Sequence, residues 1–343
     1  MIAAVLHGSE DLRIEEVDRP TIEGPDEAII RVEWAAICGT DVHAYEGRIP
    51  VKLPIVMGHE YSGEVIEVGQ GVRGLGIGDK VVGLYGASCG SCEFCVSGRP
   101  QLCMRRLLFG LNINGSFAEY LRVPRAERTL VKVPEGMEMR EAVLVPDMFQ
   151  TALYSVETGG VGPGSRVLIT GIGAIGLSIL IAAKLAGASS VIAVDIRDRP
   201  LKLAKEMGAD YIIDAREEGL VKRVREITDL GIDVAIDTSG AASVVKQAIE
   251  AVRPGGTHVQ TGIVGKPVDL DLRYVTGLEK RILGVLCPAS VEYLMRCLRI
   301  VNSFNLELHK LVTHELELRE AKRALEIASK KIDDPIKVLL KIS

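Results

Sequence analysis

The sequence has no excess of positive charge: 41 Lys and Arg stand against 46 Asp and Glu, a net charge of −5. That balance argues against a nucleic-acid partner and against an anionic membrane surface. Mean hydropathy is positive at +0.22, yet no unbroken apolar run reaches the ~18 residues of a membrane-spanning helix. The opening MIAAVLHGSEDLRIEE has neither a basic start nor a long apolar stretch. No secretory leader is expected, and the cytoplasm is the expected compartment. Amides are scarce, with four Asn and five Gln, a depletion of heat-labile side chains that bears on stability rather than function. No self-similarity at a period of ~20–50 residues marks a repeat architecture. Hydrophobic residues at 47% and charged residues at 25% exclude disorder for the bulk of the chain.

What is present is enough chain for about two domains, and the texture changes partway along. Residues 1–149 are rich in glycine and in short strand-like runs, at 28–34 (AIIRVEW), 64–68 (EVIEV), 80–84 and 117–123. From residue 164, strands and helices are predicted in alternation. Strands fall at 166–170 (RVLIT), 190–194 (SVIAV), 211–213, 233–237 (DVAID) and 258–261, with helices over 177–185, 200–207, 220–228 and 242–252. This alternation predicts a parallel, doubly wound sheet. The tail adds a strand at 282–286, helices over 291–301 and 318–330, and a closing strand at 336–342. The expected fold class is therefore α/β. A β-rich domain spans 1–149, a nucleotide-binding domain 150–287, and a C-terminal segment 288–343.

Gly171-Ile172-Gly173-Ala174-Ile175-Gly176 fits G-x-G-x-x-G between a predicted strand and a predicted helix. The first glycine serves a tight turn, the second lets backbone approach a pyrophosphate, and the third permits close helix–strand packing. The helix N-terminus attracts the phosphate charge. Asp195 lies nineteen residues after Gly176, at the end of the next strand. A carboxylate there accepts hydrogen bonds from a ribose diol and repels a 2′-phosphate, so NAD is favoured over NADP. Arg197 and Arg199 lie close by and soften that preference. A glycine-rich turn without cofactor is the other reading.

The cysteines are Cys38, Cys89, Cys92, Cys95, Cys103, Cys287 and Cys297, and four of them form C-x2-C-x2-C-x7-C. Without a leader, that cluster reads as a metal site rather than a disulfide framework. Four thiolates at ~2.3 Å would close a tetrahedral Zn²⁺ with no open position, a structural role that staples a loop with little core. A redox dithiol and an iron–sulfur cluster share this spacing. Elsewhere in the same half, Cys38, His59, Glu60 and Asp147 offer a thiolate, an imidazole and two carboxylates. Three protein ligands with an open position make a catalytic zinc site. Plainer readings stand beside it: Cys38 as a small buried hydrophobe, His59 as a core histidine, Asp147 as the cap of a helix starting at Met148.

The motifs ICGTDVH (37–43), GHEYSGEV (58–65), GDKV (78–81), the cysteine lobe (89–103) and GIGAIG (171–176) run in order over essentially the whole chain. In them the sequence resembles the zinc-dependent medium-chain alcohol dehydrogenases, above all the threonine, sorbitol and secondary-alcohol branch. The resemblance implies a GroES-like catalytic domain, an inserted Rossmann NAD-binding domain and a C-terminal return to the catalytic domain. It implies two Zn²⁺ per chain. Cys38 and His59 are then catalytic ligands, Glu60 binds zinc directly or exchanges with water, and Asp147 falls where a further ligand is placed. Cys89, Cys92, Cys95 and Cys103 hold the structural ion. Thr40 and His43 relay a proton to solvent, a task suited to an imidazole of pKa ~6.5; a backbone-bonded threonine and a surface histidine are the plainer readings. Gly171, Gly173, Ile175, Gly176, Asp195, Arg199, Gly262, Ile263, Val264, Leu286 and Cys287 line the cofactor, and Tyr85 the substrate pocket. A homotetramer is implied as well.

The expected activity is hydride transfer between NAD(H) and a secondary alcohol, polyol or sugar-type hydroxyl. L-threonine 3-dehydrogenase-like activity is the alternative. It is weakened because CPASVE (287–292) replaces the G-R-x-x-x-T-W segment of threonine dehydrogenases and because the loop at 45–50 is short. A non-catalytic nucleotide-binding relative would be expected to lack Cys38 or His59, and both are present.

Overall fold

A computed structural model describes residues 1–216 and 219–343. The chain divides into two units, Met1–Gln150 with Pro288–Ser343, and Thr151–Cys287. Gln150 closes the first stretch, its side-chain amide donating to the Pro288 carbonyl.

The first unit is built on a sheet in which Leu130–Lys132, Lys80–Gly83, Glu60–Val68, Ala28–Ile37, Lys337–Lys341 and Val312–Glu317 lie side by side in that order. Strand Tyr120–Val123 pairs with the near end of Ala28–Ile37. A smaller sheet joins Asp11–Glu16, Ile2–Gly8 and Ile55–Val56. Apolar side chains from the sheets form the core: Ile30, Val32, Tyr61 and Leu121 close around Phe109. The rings of Tyr61 and Phe109 meet edge to face, 5.5 Å between centroids. Met57, Phe117, Leu325 and Leu340 fill a second cluster.

Two strands run further than the sequence pattern indicates, and the extra length positions chemistry. The strand expected at 28–34 continues to Ile37, and the one expected at 64–68 begins at Glu60. They are antiparallel neighbours with Ala36 opposite Glu60. Cys38 follows the end of one and His59 precedes the start of the other, so pairing alone brings the two side by side. The C-terminal strand Lys337–Lys341 covers the other edge of Ala28–Ile37, with Val338 opposite Ile37.

The second unit is a parallel six-stranded sheet in the order Tyr211–Asp214, Ser190–Asp195, Arg166–Thr170, Ile232–Asp237, Val252–Gln260, Arg281–Gly284. This is the 3-2-1-4-5-6 order of the doubly wound dinucleotide-binding fold. Helices Ala174–Leu185, Asp198–Glu206, Leu220–Thr228 and Ala242–Ala251 alternate with the strands along the chain. The central strands Arg166–Thr170 and Ser190–Asp195 are almost wholly buried, as both-face burial of a parallel sheet requires. The strand expected at 282–286 ends at Gly284, so Leu286 and Cys287 lie beyond it in the connecting segment. Among the described residues no helix is long and apolar enough to cross a membrane.

Candidate active site

Cys38 is the N-cap of the short helix Gly39–Tyr45. Asp41, three residues on, turns back, and the Cys38 backbone N–H donates to its Oδ2 at 2.9 Å, the reciprocal arm of a capping box. The other oxygen of Asp41 bonds His59 Nδ1 at 2.9 Å. That bond fixes the imidazole with Nε2 turned toward Asp147 Oδ2, 3.7 Å away. Asp147 does not cap a helix starting at Met148. It sits inside a π-helical turn, Val145–Phe149, that runs into the helix Gln150–Gly159. Phe149 N–H donates to Leu144 O across that turn; such widened turns recur at functional sites. Ligand atoms of Cys38, His59, Glu60 and Asp147 all lie within 4.8 Å of one another.

The electrostatics of this cluster suit a divalent cation. Burial and the Asp147 charge push the Cys38 thiol up to about 11. Burial opposes an imidazolium at His59, but Asp41 and Asp147 outweigh it and hold the pKa well above the usual value. Burial also opposes charge on Asp147, yet His59 keeps its carboxyl below the ordinary range. A protonated thiol and a protonated imidazole thus face an ionised carboxylate, and a divalent cation would take the place of the two protons. Two donors ~2.1 Å from one tetrahedral centre stand about 3.4 Å apart, close to the spacing of His59 Nε2 and Asp147 Oδ2. Thiolate, imidazole and carboxylate together are a zinc-type donor set.

Two residues of this centre escaped the sequence reading. Asp41 lay inside the CGTDVH motif without a role, and its signal was the i+3 spacing from the cap. Lys337 donates through Nζ to both carboxylate oxygens of Glu60, at 2.6 and 2.7 Å, and to Ile37 O at 3.2 Å. Both partners are buried. Burial alone would lower the Lys337 pKa, but Glu60 and Cys38 raise it above the usual value. Its signal was a single cation inside the apolar closing run IKVLL.

Thr40 and His43 stand on the same short helix. Thr40 Oγ1 is 3.8 Å from Cys38 Sγ. His43 Nδ1 is buried with no hydrogen-bond partner among the described residues, and burial with the nearby Arg48 lowers its pKa.

In the cysteine lobe, Cys92 and Cys95 Sγ lie 3.5 Å apart and Cys89 and Cys95 Sγ 3.9 Å apart. Thiolates ~2.3 Å from a tetrahedral zinc stand about 3.8 Å apart, whereas a disulfide needs ~2.05 Å. All four cysteines are free and mutually within 4.8 Å. Backbone N–H groups of Ser91 and Cys92 pull the Cys89 thiol down to about 5. The Arg105 guanidinium adds a bond to Cys89 Sγ at 3.4 Å.

In the second unit, Gly171 has φ +87, and a Cβ there would meet Ser239 N at 2.6 Å. A Cβ at Gly176 would sit 2.1 Å from Gly171 O, while one at Gly173, the N-cap of Ala174–Leu185, would meet nothing within 4 Å. The tight glycines and the open one match the three roles of a pyrophosphate loop. Asp195 Oδ2 accepts from Ile172 N–H at 2.6 Å, which ties this carboxylate to the loop. Its Oδ1 accepts from the backbone of Ile196 and Arg197, with Arg197 Nε at 3.4 Å. Arg199 is exposed in the first turn of Asp198–Glu206, and Ile175 lies in the first turn after the loop. Buried Asp237 accepts from Thr170 Oγ1, Ser239 Oγ, Gly240 N–H and Gln260 Nε2. Gln260 also donates to Gly262 O at 2.8 Å, anchoring the turn at Gly262, Ile263 and Val264. Ile263 and Leu286 are exposed and Cys287 is buried.

Residues 24–135 match the family described as alcohol dehydrogenase GroES-like domain, and residues 174–300 the family described as zinc-binding dehydrogenase. The chain is similar to a sorbitol dehydrogenase of Halalkalibacterium halodurans, 34% identical over 97% of this chain and 96% of that one. It is similar also to an L-threonine 3-dehydrogenase of Pyrococcus horikoshii, 36% identical over 88% of this chain and 86% of that one. Among solved structures, an alcohol dehydrogenase from Thermus sp. ATN1 matches with a TM-score of 0.94 at 34% identity, covering 100% of both chains. Such identity along almost the whole length joins the strand order, the glycine loop and both ligand clusters in one conclusion: the chain belongs to the zinc-dependent medium-chain alcohol dehydrogenase family.

Proposed function

We propose that the protein interconverts a secondary alcohol, polyol or sugar-type hydroxyl and its carbonyl with NAD(H), using a catalytic Zn²⁺ at Cys38, His59 and a carboxylate. A second, structural Zn²⁺ belongs to Cys89, Cys92, Cys95 and Cys103. As a member of this family the chain is an oxidoreductase acting on CH–OH groups. The observation that carries the reading is the convergence of thiolate, imidazole and carboxylate within 4.8 Å, beside a separate set of four thiolates.

When bound, the Zn²⁺ supplies a Lewis acid that lowers the pKa of a substrate hydroxyl, and NAD supplies the hydride acceptor. The chain's own residues do the rest. Asp41 holds the His59 ring through Nδ1 and leaves Nε2 for the metal. Thr40 and His43 carry the hydroxyl proton outward, the unpartnered His43 Nδ1 marking a free acceptor or donor. Gly171, Gly173 and Gly176 cradle the pyrophosphate, Asp195 takes the ribose diol, and Arg199 stands beside it. Ile175, Gly262, Ile263, Val264, Leu286 and Cys287 border the cofactor. The Asp195 carboxylate supports NAD over NADP, and its contact with Arg197 engages the nearest cation.

His43 is expected to accept the proton as neutral imidazole. Its pKa lies below the usual value, so acceptance is intact at pH 7 and is lost as pH falls through that lowered pKa. His43→Ala should slow alcohol oxidation by about 100-fold at pH 7 and erase the acid limb of the kcat profile. An unchanged profile would remove His43 from the relay.

L-threonine oxidation is the second reading, favoured by the 36% identity to an L-threonine 3-dehydrogenase. NAD⁺ and NADP⁺ reduction against sorbitol, xylitol, 2,3-butanediol and L-threonine separates the two. The proposal expects NAD⁺-linked turnover of a diol or polyol to exceed that of threonine; threonine as the best substrate would replace it with the second reading.

A homo-oligomer, with a tetramer favoured, is supported by the edge strand Arg281–Gly284, which has Ile282 exposed and exposed Leu272, Tyr274 and Leu286 near it in sequence. An unpaired apolar edge invites pairing. The thiols of Cys38, Cys89, Cys92, Cys95 and Cys103 suit a reducing cytoplasm.

A further inference from the structure

We infer that His258 is a positioning residue for the cofactor: through the Gln260 side chain it clamps Asp237 and the turn at Gly262, Ile263 and Val264. This rests on the cofactor site proposed above. His258 and Gln260 stand two apart on the strand Val252–Gln260, so their side chains leave the same face of the sheet. The register sets Gln260 opposite Asp237 and His258 opposite Ala235 on the neighbouring strand Ile232–Asp237. That neighbour and Arg166–Thr170 are the pair at which the strand order reverses, and ligands of this fold bind in the crevice beyond the carboxyl ends of that pair.

The hydrogen bonds run in one direction only. Gln260 Nε2 lies 2.8 Å from Asp237 Oδ2 and 2.8 Å from Gly262 O. Both of these atoms are acceptors, so both amide protons of Gln260 are used there. Its Oε1 is left for His258 Nε2, 3.0 Å away, and that nitrogen must carry the proton. Burial lowers the His258 pKa below the usual value, so the ring is neutral and Nδ1 has no proton. His258 is 1% exposed, and its Nδ1 has no hydrogen-bond partner among the described residues. An unpaired buried acceptor is unfavourable, and an apolar side chain would fill this place without one. What the histidine adds is the Nε2–H bond that holds the Gln260 amide one way round.

The consequence reaches the cofactor side of the sheet. Asp237 Oδ1 accepts from Thr170 Oγ1 and Ser239 Oγ, and Oδ2 from Gly240 N–H as well as Gln260. The four acceptor sites of the carboxylate are thereby filled. Thr170 immediately precedes the glycine loop. The Asp237 backbone oxygen also accepts from Gly262 N–H at 2.8 Å, so both backbone groups of Gly262 are held. With the Gln260 amide turned over, its oxygen would face the Asp237 carboxylate and Gly262 O, and the clamp would open. Held closed, it sets the turn before the cofactor arrives and lowers the ordering cost of binding.

The test is fluorescence titration of the full chain with NADH, beside thermal unfolding and zinc analysis. His258→Leu should weaken NADH binding roughly 10-fold, the loss of one hydrogen bond, with zinc content and stability close to wild type. His258→Gln, whose amide can donate to Gln260 Oε1, should restore affinity to within about 3-fold of wild type. Gln260→Leu should lose at least as much as His258→Leu, and adding His258→Leu to it should change nothing further, because the two side chains act as one unit. In the wild type, ¹⁵N spectra of histidine-labelled protein should show His258 as the neutral Nε2–H tautomer, its signals identified by their loss in His258→Gln. The inference is overturned if His258→Leu lowers stability but leaves NADH affinity unchanged, which is what a purely structural role would give. It is equally overturned if the two leucine variants lose affinity additively, or if His258 is the Nδ1–H tautomer. Should His258→Leu fail to fold, the wild-type tautomer decides alone. If the wild type binds no NADH, the cofactor site itself fails and this inference with it.

Discussion

Cys38→Ser is expected to lower kcat/KM by at least about 1000-fold. The metal's stabilisation of developing negative charge amounts to several kcal/mol, and each 1.36 kcal/mol is a factor of ten. Serine keeps the N-cap of Gly39–Tyr45, since a hydroxyl caps well, so the helix and the Asp41–His59 bond have no reason to move. Its hydroxyl does not replace a thiolate as a zinc ligand. Metal analysis should find about one zinc fewer per chain, with the cysteine lobe still filled. NADH binding should be unaffected, because the glycine loop shares no residue with this centre. Wild-type turnover in this variant would remove Cys38 from the chemistry.

Gly176→Val is expected to damage the other half of the reaction. The first carbon of any side chain here would stand 2.1 Å from Gly171 O. That contact is with backbone, which yields only by spreading the loop. Overpacking of this kind costs about 3 kcal/mol at the upper end of the usual range, which corresponds to roughly a 100-fold weaker Kd for NADH. Fluorescence titration with NADH reads the loss directly. Zinc content should remain that of the wild type. A variant that binds NADH normally would show that the turn is not the pyrophosphate cradle.

The parts of the fold that were legible in sequence are those whose signal is local. The strand RVLIT, the glycine loop and the following helix announce themselves because apolar run, turn and helix start are contiguous. The cysteine lobe is legible because its spacing is short. The opening hairpin, Ile2–Gly8 with Asp11–Glu16, is not. Its turn is carried by Glu10 at φ 60, where glycine or asparagine would have signalled it. The π-turn at Val145–Phe149 is hidden because VLVPDMF reads as the start of an ordinary helix, which is why Asp147 looks like a cap. Lys337 and Asp41 are hidden for opposite reasons. Lys337 acts across 277 residues of sequence, and no local pattern reports such a pairing. Asp41 is so close to Cys38 that its long-range bond to His59 is masked by its capping bond.

Stepwise zinc removal, with turnover followed in the same sample, tests most directly whether the Cys38 centre carries a catalytic metal serving NAD-linked oxidation of a hydroxyl. About two zinc ions per chain are expected, one in the open site and one in the closed. Loss of the first to a chelator should abolish NAD⁺ reduction while the fold and NADH binding persist, and its return should restore the rate. Full turnover with only the four-thiolate site filled would contradict a catalytic role for the metal at Cys38.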